Sequence, residues 1–273
     1  MKKILALALV VVLAVTAVTG ATLAYFTDTD EVKNTFSMGK VDITLDETNI
    51  NKPDGDRVQA NDYTGTNMVP GHSFTKDPII HVQQGSEESY IFMDVTINKF
   101  KSLFWVMAAD AAEDETINLP LYDEKGNLAS AFANKDGVFS STSFVTFLMA
   151  NNSTRLAILN KWFKGIEHAK WDVKTVIPSE DGKYLTVRMA YKGDADGNVY
   201  TVDASAAQVD IKFMDSFEMP NTVTQKMISD GVEVGKMQNA FNTTAEEFHM
   251  NFKAYAIQAD TLSLDQAYDA LFN

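Results

Sequence analysis

Apolar and polar residues alternate along much of this chain. Val41, Ile43 and Leu45 interleave with Asp42, Thr44 and Asp46, a period of two that places the apolar groups on one face of a strand. Ile91, Met93, Val95 and Ile97 repeat the pattern, with Tyr90, Phe92, Asp94 and Thr96 between them. Two bulky aromatics on that second face predict a strand covered on both sides over part of its length. Tyr184 to Tyr191, Val199 to Val202, Val209 to Phe213 and Met250 to Ala259 also read as strands. Gly126-Asn127, Asp136-Gly137, Asp181-Gly182 and Asp196-Gly197-Asn198 supply residues that tolerate the positive φ of tight hairpin turns. Many short strands with such turns predict a mainly β fold, a jelly-roll-like β-sandwich.

Helical spacing is secondary. Ser143 is expected to cap a short helix that buries Phe144, Phe147 and Leu148. Ser153 is expected to cap another, with Leu156, Leu159 and Phe163 on its buried face and Gly165 after it. Ser263 and Gln266 have capping-box spacing, which predicts a short C-terminal helix before Leu271. Residues from about 99 to 178 mix these helices with hairpin turns and read as a helical insertion in a domain spanning 39–273. The stretch from Asn49 to Asn67 is a long polar loop.

The start of the chain sets the compartment. Lys2 and Lys3 precede an uncharged run, and Thr22-Leu23-Ala24 offers a signal-peptidase site, so residues 1–24 read as a signal peptide cut between Ala24 and Tyr25. An uncleaved anchor is the alternative, since no charge lies between Ile4 and Tyr25 and about 20 apolar residues span a bilayer. The chain has no cysteine, which excludes thiol catalysis and thiolate zinc sites. Its formal net charge is −14, and cleavage would remove two further lysines. Such a surface repels phosphates and anionic lipid, so neither nucleic acid nor, after signal removal, membrane is an expected partner.

Past the predicted cut, residues 25–38 are expected to form a strand with its own apolar positions. Phe26, Val32, Phe36 and Met38 fall on even numbers, interrupted by Asp28, Asp30 and Asn34, and the odd positions are mostly polar. The apolar parity moves to odd numbers at Val41, which a bulge or hinge at Gly39 would produce. A free strand of this kind either pairs within its own domain or adds to an open sheet edge on a neighbour.

The head, Leu23-Ala24-Tyr25-Phe26-Thr27-Asp28, then Asn34-Thr35-Phe36-Ser37-Met38-Gly39 and Val41-Asp42-Ile43-Thr44-Leu45, resembles the TasA/camelysin (CalY) family of exported Gram-positive proteins. The likeness continues at Val69-Pro70-Gly71, Thr75-Lys76-Asp77-Pro78 and Gly85-Ser86-Glu87-Glu88-Ser89-Tyr90-Ile91-Phe92, and returns at Ala254-Tyr255-Ala256-Ile257-Gln258-Ala259. The resemblance implies a jelly roll, assembly into extracellular fibres of the biofilm matrix, and copies of itself and other matrix proteins as partners. It also implies donor-strand complementation, in which Phe26, Val32, Phe36 and Met38 fill the groove of the next subunit. Asp28 and Asp30 depart from a fully apolar donor face and would sit at the subunit junction or bind a cation.

Camelysin relatives raise a second possibility, a surface metallopeptidase. The four histidines, His72, His81, His168 and His249, include no pair four apart with a glutamate between, the helical arrangement that holds zinc beside a general base. Glu246, Glu247 and His249 read as a surface feature, and His72 and His81 flank the Lys-Asp-Pro motif. Asp194, Asp196 and Asn198 resemble the start of a calcium loop, but Gly197 and Ser205 fit a hairpin turn better. Trp105, Trp162 and Trp171 read as core. The expected protein is therefore a secreted structural subunit, not an enzyme, with no catalytic residues, metal or cofactor. A monomeric surface adhesion module is the alternative.

Overall fold

The computed structural model describes residues 41–49, 56–59, 69–180, 182–193, 200–237 and 249–273, with the backbone of Thr27–Asp30. Its strands are β1 (Thr27–Asp30), β2 (Ile43–Thr48), β3 (Arg57–Val58), β4 (Ser73–Thr75), β5 (Ile79–Val82), β6 (Ser86–Asn98), β7 (Phe163–Lys164), β8 (Trp171–Pro178), β9 (Tyr184–Tyr191), β10 (Thr201–Ala204), β11 (Val209–Lys212), β12 (Ser216–Glu218) and β13 (Met250–Gln258). Its helices are α1 (Phe100–Glu113), α2 (Ser141–Ala150), α3 (Asn152–Trp162), α4 (Gln225–Met237) and α5 (Leu264–Phe272). Among the described residues every ladder is antiparallel, and the architecture is a β-sandwich with helical insertions.

The main sheet has the order β1-β13-β6-β9-β8, with β10 also on β6. A second sheet has the order β11-β5-β2-β3, and a small third sheet β4-β12-β7. Alternation explains how they meet. Ile43 and Leu45 on β2, Ile80 and Val82 on β5, and Ile211 on β11 are buried in one core with Ile91, Met93, Val95 and Ile97 of β6. The opposite face of β6 is covered too, as its aromatics predict. Phe92 is fully buried, and with Ala190 and Ile257 it packs under α5. On that same face Arg188 holds Asp94 in two hydrogen bonds of 2.7 Å, Tyr255 Oη donates to the same carboxylate, and Phe272 lies 3.5 Å below the guanidinium. The α5 capping box forms in both directions between Ser263 and Gln266.

Two helices have no counterpart among the predicted elements. α1 buries residues all round its circumference, from Phe100 and Leu103 to Trp105, Val106, Met107 and Ala111, so no single apolar stripe marks it. α4 crosses it closely, and a Cβ on Gly231 would sit 2.9 Å from Val106 Cγ2. Buried Asp110 of α1 accepts from Lys161 Nζ at 3.0 Å and from Trp162 Nε1 at 3.2 Å, which ties α1 to α3.

Two predicted helix caps are corrected. The cap of α2 is Ser140, whose Oγ accepts from the Ser143 amide; Ser143 already lies in the first turn. α3 begins after Asn151 with no side-chain cap, so Ser153 caps nothing. Its fully buried residues are Ile158 and Trp162; Phe163 is buried as expected but already in β7, and Leu156 and Leu159 are half-buried. The helix is apolar on two sides, and spacing alone cannot say which side meets the core. β8 pairs with β9 in the main sheet, so the chain rejoins the sandwich at Trp171.

Candidate functional site

The head of the chain meets the body at the outer edge of β13. One side of β13 is held along its whole length by β6, from Met250 opposite Ile97 to Gln258 opposite Ser89. The other side receives β1 for four residues: Thr27 opposite Ile257, Asp28 opposite Ala256, Thr29 opposite Tyr255 and Asp30 opposite Ala254. Without that strand, β13 would present a row of bare backbone donors and acceptors. Ala254 and Ala256 are fully buried and contribute to the main core, while Ile257 belongs to the cluster under α5. Sequence reasoning identified β13 as a strand but not as the acceptor for the head; its signal is the pair of small residues, Ala254 and Ala256, in an otherwise bulky strand. The expected cut at Ala24 and Tyr25, the expected donor residues Phe26, Val32, Phe36 and Met38, and the expected hinge Gly39 lie outside the described residues.

The other motifs quoted from the sequence occupy corners of the sandwich. Gly71, at φ 79°, turns the chain into β4, and Gly85, at φ 90°, turns it from β5 into β6, conformations that favour glycine. Lys76-Asp77-Pro78 is the passage from β4 in the small sheet to β5 in the second sheet. Lys76 is buried, pairs with Glu47 at 3.1 Å and lies 5.6 Å from the Phe252 ring of β13. Asp77 accepts from the Thr48 amide at 2.8 Å and from Arg57 Nη1 at 3.1 Å. Arg57 also reaches the Asp46 carboxylate and the backbone carbonyls of Asp46 and Asp77. This motif therefore braces β2, β3 and β5 close to the acceptor strand.

The histidines are separated. His81, on β5, spans two carboxylates, Asp210 through Nδ1 at 2.7 Å and Asp46 through Nε2 at 3.1 Å. Burial opposes its charge, but the hydrogen bonds to Asp210 and Asp46 outweigh it and hold the imidazole pKa above its ordinary value. His72, before β4 in another sheet, stacks on Phe74 at 4.8 Å. His168 lies beside Arg155; burial and then that positive charge push its pKa down. His249 precedes β13, where its amide donates to Asn98 Oδ1 at 2.7 Å. Both ring nitrogens of His81 are taken, and His72 lies just before β4 of the small sheet whereas His81 is in the second sheet. Among the described residues no group of three histidines, cysteines or carboxylates is placed to hold a metal ion. These residues do not fit a zinc site. Glu246, Glu247 and the calcium-like stretch Asp194, Asp196 and Asn198 lie outside the described residues. Trp105, Trp162 and Trp171 are core residues as predicted.

None of the described helices is long and apolar enough to cross a membrane. Residues 1–74 match the sequence model of a family described as camelysin metallo-endopeptidase, which supports the resemblance read from the head motifs. No curated protein and no solved structure matches the chain.

Proposed function

We propose, from the camelysin-type head and the edge of β13 on which it lies, that this protein is a secreted structural subunit whose processed N-terminus completes the sheet of a neighbouring copy. A jelly-roll arrangement of the sheets and a place in extracellular fibres of the biofilm matrix belong to the same reading. The observation that carries it is the pairing of Thr27–Asp30 with the outer edge of β13. A strand that reaches this edge from its own chain, through a connection of residues 31–40, can be replaced by the equivalent strand of another copy with the same backbone hydrogen bonds. Exchange in one direction uses the head and the edge of every internal subunit and leaves a free head at one end and an open edge at the other, so growth does not close. Phe26, Val32, Phe36 and Met38 would add apolar burial, about 1.5–3 kcal/mol for each large side chain.

The same pairing favours a second reading. If β1 stays in its own sheet, the protein is a monomeric surface module with a sealed edge. Electron microscopy and size-exclusion chromatography of the chain lacking residues 1–24 separate the two. Fibres that disappear on deletion of residues 25–38, with the body still folded, support the polymer. A monomer at every concentration, with or without the head, rejects it.

A further inference from the structure

A cavity of about 470 Å³ lies between the main sheet and the helical insertion. This is within the range of about 300–1,000 Å³ typical of small-molecule sites. Its floor is the inner face of the sheet, with Val95, Val187, Val173 and Val176, and its roof is α2 and α3, with Leu148, Leu156 and Leu159. Leu156 and Leu159, both half-buried, line this space, and Leu159 also touches the edge of the main core. A helix with one apolar side in the core and a second facing an opening leaves hydrophobic area that folding does not remove from water. Trp171 lines the same space, and its Nε1 is buried without a hydrogen-bond partner among the described residues.

The rim is polar and lopsided in charge. Arg155 lines it, and its guanidinium bonds to Asn152 Oδ1 at 2.6 Å and to Met149 Sδ at 3.6 Å. No carboxylate among the described residues lies within ion-pair distance of Arg155. Lys192 is also at the rim but is answered by Asp172 at 3.7 Å, and Asp172 in turn accepts from Tyr200 Oη. His168 completes this side. Among the described residues the balance is one guanidinium with no carboxylate in ion-pair range beside an apolar chamber, in a chain whose net charge is −14. A guanidinium recognises a carboxylate in fork geometry, and an apolar chamber takes up a hydrocarbon chain.

We propose that this cavity binds a free long-chain carboxylate, a fatty acid, with its hydrocarbon between sheet and helices and its carboxylate on Arg155. The inference stands independently of how the protein assembles. The test is titration calorimetry of the full chain with dodecanoate, dodecanol and dodecylamine below their micellar concentrations. One dodecanoate per chain should bind saturably, and dodecylamine at least tenfold more weakly. Arg155→Glu should weaken dodecanoate at least tenfold and erase the preference over the amine. Val187→Trp, or Leu156→Trp should the first variant lose its cooperative melting, should fill the chamber and abolish binding of all three probes. No saturable binding of dodecanoate, equal affinity for the amine, or wild-type binding by a folded chamber-filling variant would overturn the proposal. So would uptake of a synthetic peptide of residues 25–38 in place of dodecanoate, which would assign the chamber to a protein strand.

Discussion

Thr27 stands opposite Ile257 in an antiparallel ladder that joins the first described strand of this chain to its last. The contact is short. Four residues of backbone pairing at about 0.5–1.5 kcal/mol net per hydrogen bond hold the head weakly compared with the body. Alternate residues of an antiparallel strand donate to a given neighbour, so two consecutive prolines must remove at least one ladder donor. Asp28→Pro combined with Thr29→Pro should therefore lower the stability of the body by no more than about 3 kcal/mol, by the same hydrogen-bond arithmetic. Any polymerisation should be lost. Urea denaturation and electron microscopy on one preparation check both outcomes.

Arg188 is held from two sides, by the carboxylate of its cross-strand neighbour Asp94 and by the Phe272 ring from α5. The helix thus anchors to the sheet through a stacked cation as well as through apolar burial of Phe92. A double-mutant cycle on Arg188→Met and Phe272→Leu should give a coupling of about 1–2 kcal/mol, the scale of a desolvated cation–π contact. Asp94→Ala should cost more, about 3 kcal/mol, because it leaves the guanidinium without its charge partner inside the fold. Denaturant midpoints measure both.

Gly231 permits the close crossing of α1 and α4. A side chain there meets Val106, the Ser102 carbonyl and Trp105 within about 3 Å. Gly231→Val should destabilise by about 1–3 kcal/mol, the usual cost of overpacking, despite the better helix propensity of valine. Gly231→Ala should cost less, as a single methyl asks for smaller shifts of Val106, Trp105 and the Ser102 carbonyl than valine does. Thermal unfolding of the two variants ranks them.

His81 makes the second sheet sensitive to pH. Its folded-state pKa lies above the unfolded value of about 6.5. The ion pairs with Asp210 and Asp46 therefore contribute in full below pH 6.5, and the contribution fades as pH rises through the folded-state value. His81→Gln should cost about 0.5–1 kcal/mol at pH 5.5, the scale of a partly exposed ion pair, and much less at pH 9. Denaturation of both proteins across that interval shows the difference, and a penalty that grows with pH would contradict the assignment.

Local chemistry made much of the fold readable. The Ser263–Gln266 capping box and the alternation in β2, β6, β9 and β13 each depend on residues within a few positions of one another. The helices were harder. α1 was missed because burial on every side erases the period on which an amphipathic reading depends. In α3 spacing found Leu159 and Phe163 but passed over the deeper Ile158 and Trp162, because both sides of that helix are apolar. The candidate site was half legible. The head motifs and β13 could be found, but their contact joins residues more than two hundred positions apart.

By itself the sequence determined which stretches extend, where the chain turns, and that its head carries camelysin-type motifs. Tertiary structure decided the rest: that β1 lies on β13, that Lys76-Asp77-Pro78 braces a corner, and that α3 leaves a chamber above the sheet. The physical reason is that a pattern specifies which face of an element is apolar, while its neighbour is chosen by long-range packing. Backbone hydrogen bonds are alike for every strand, so no local pattern names the partner.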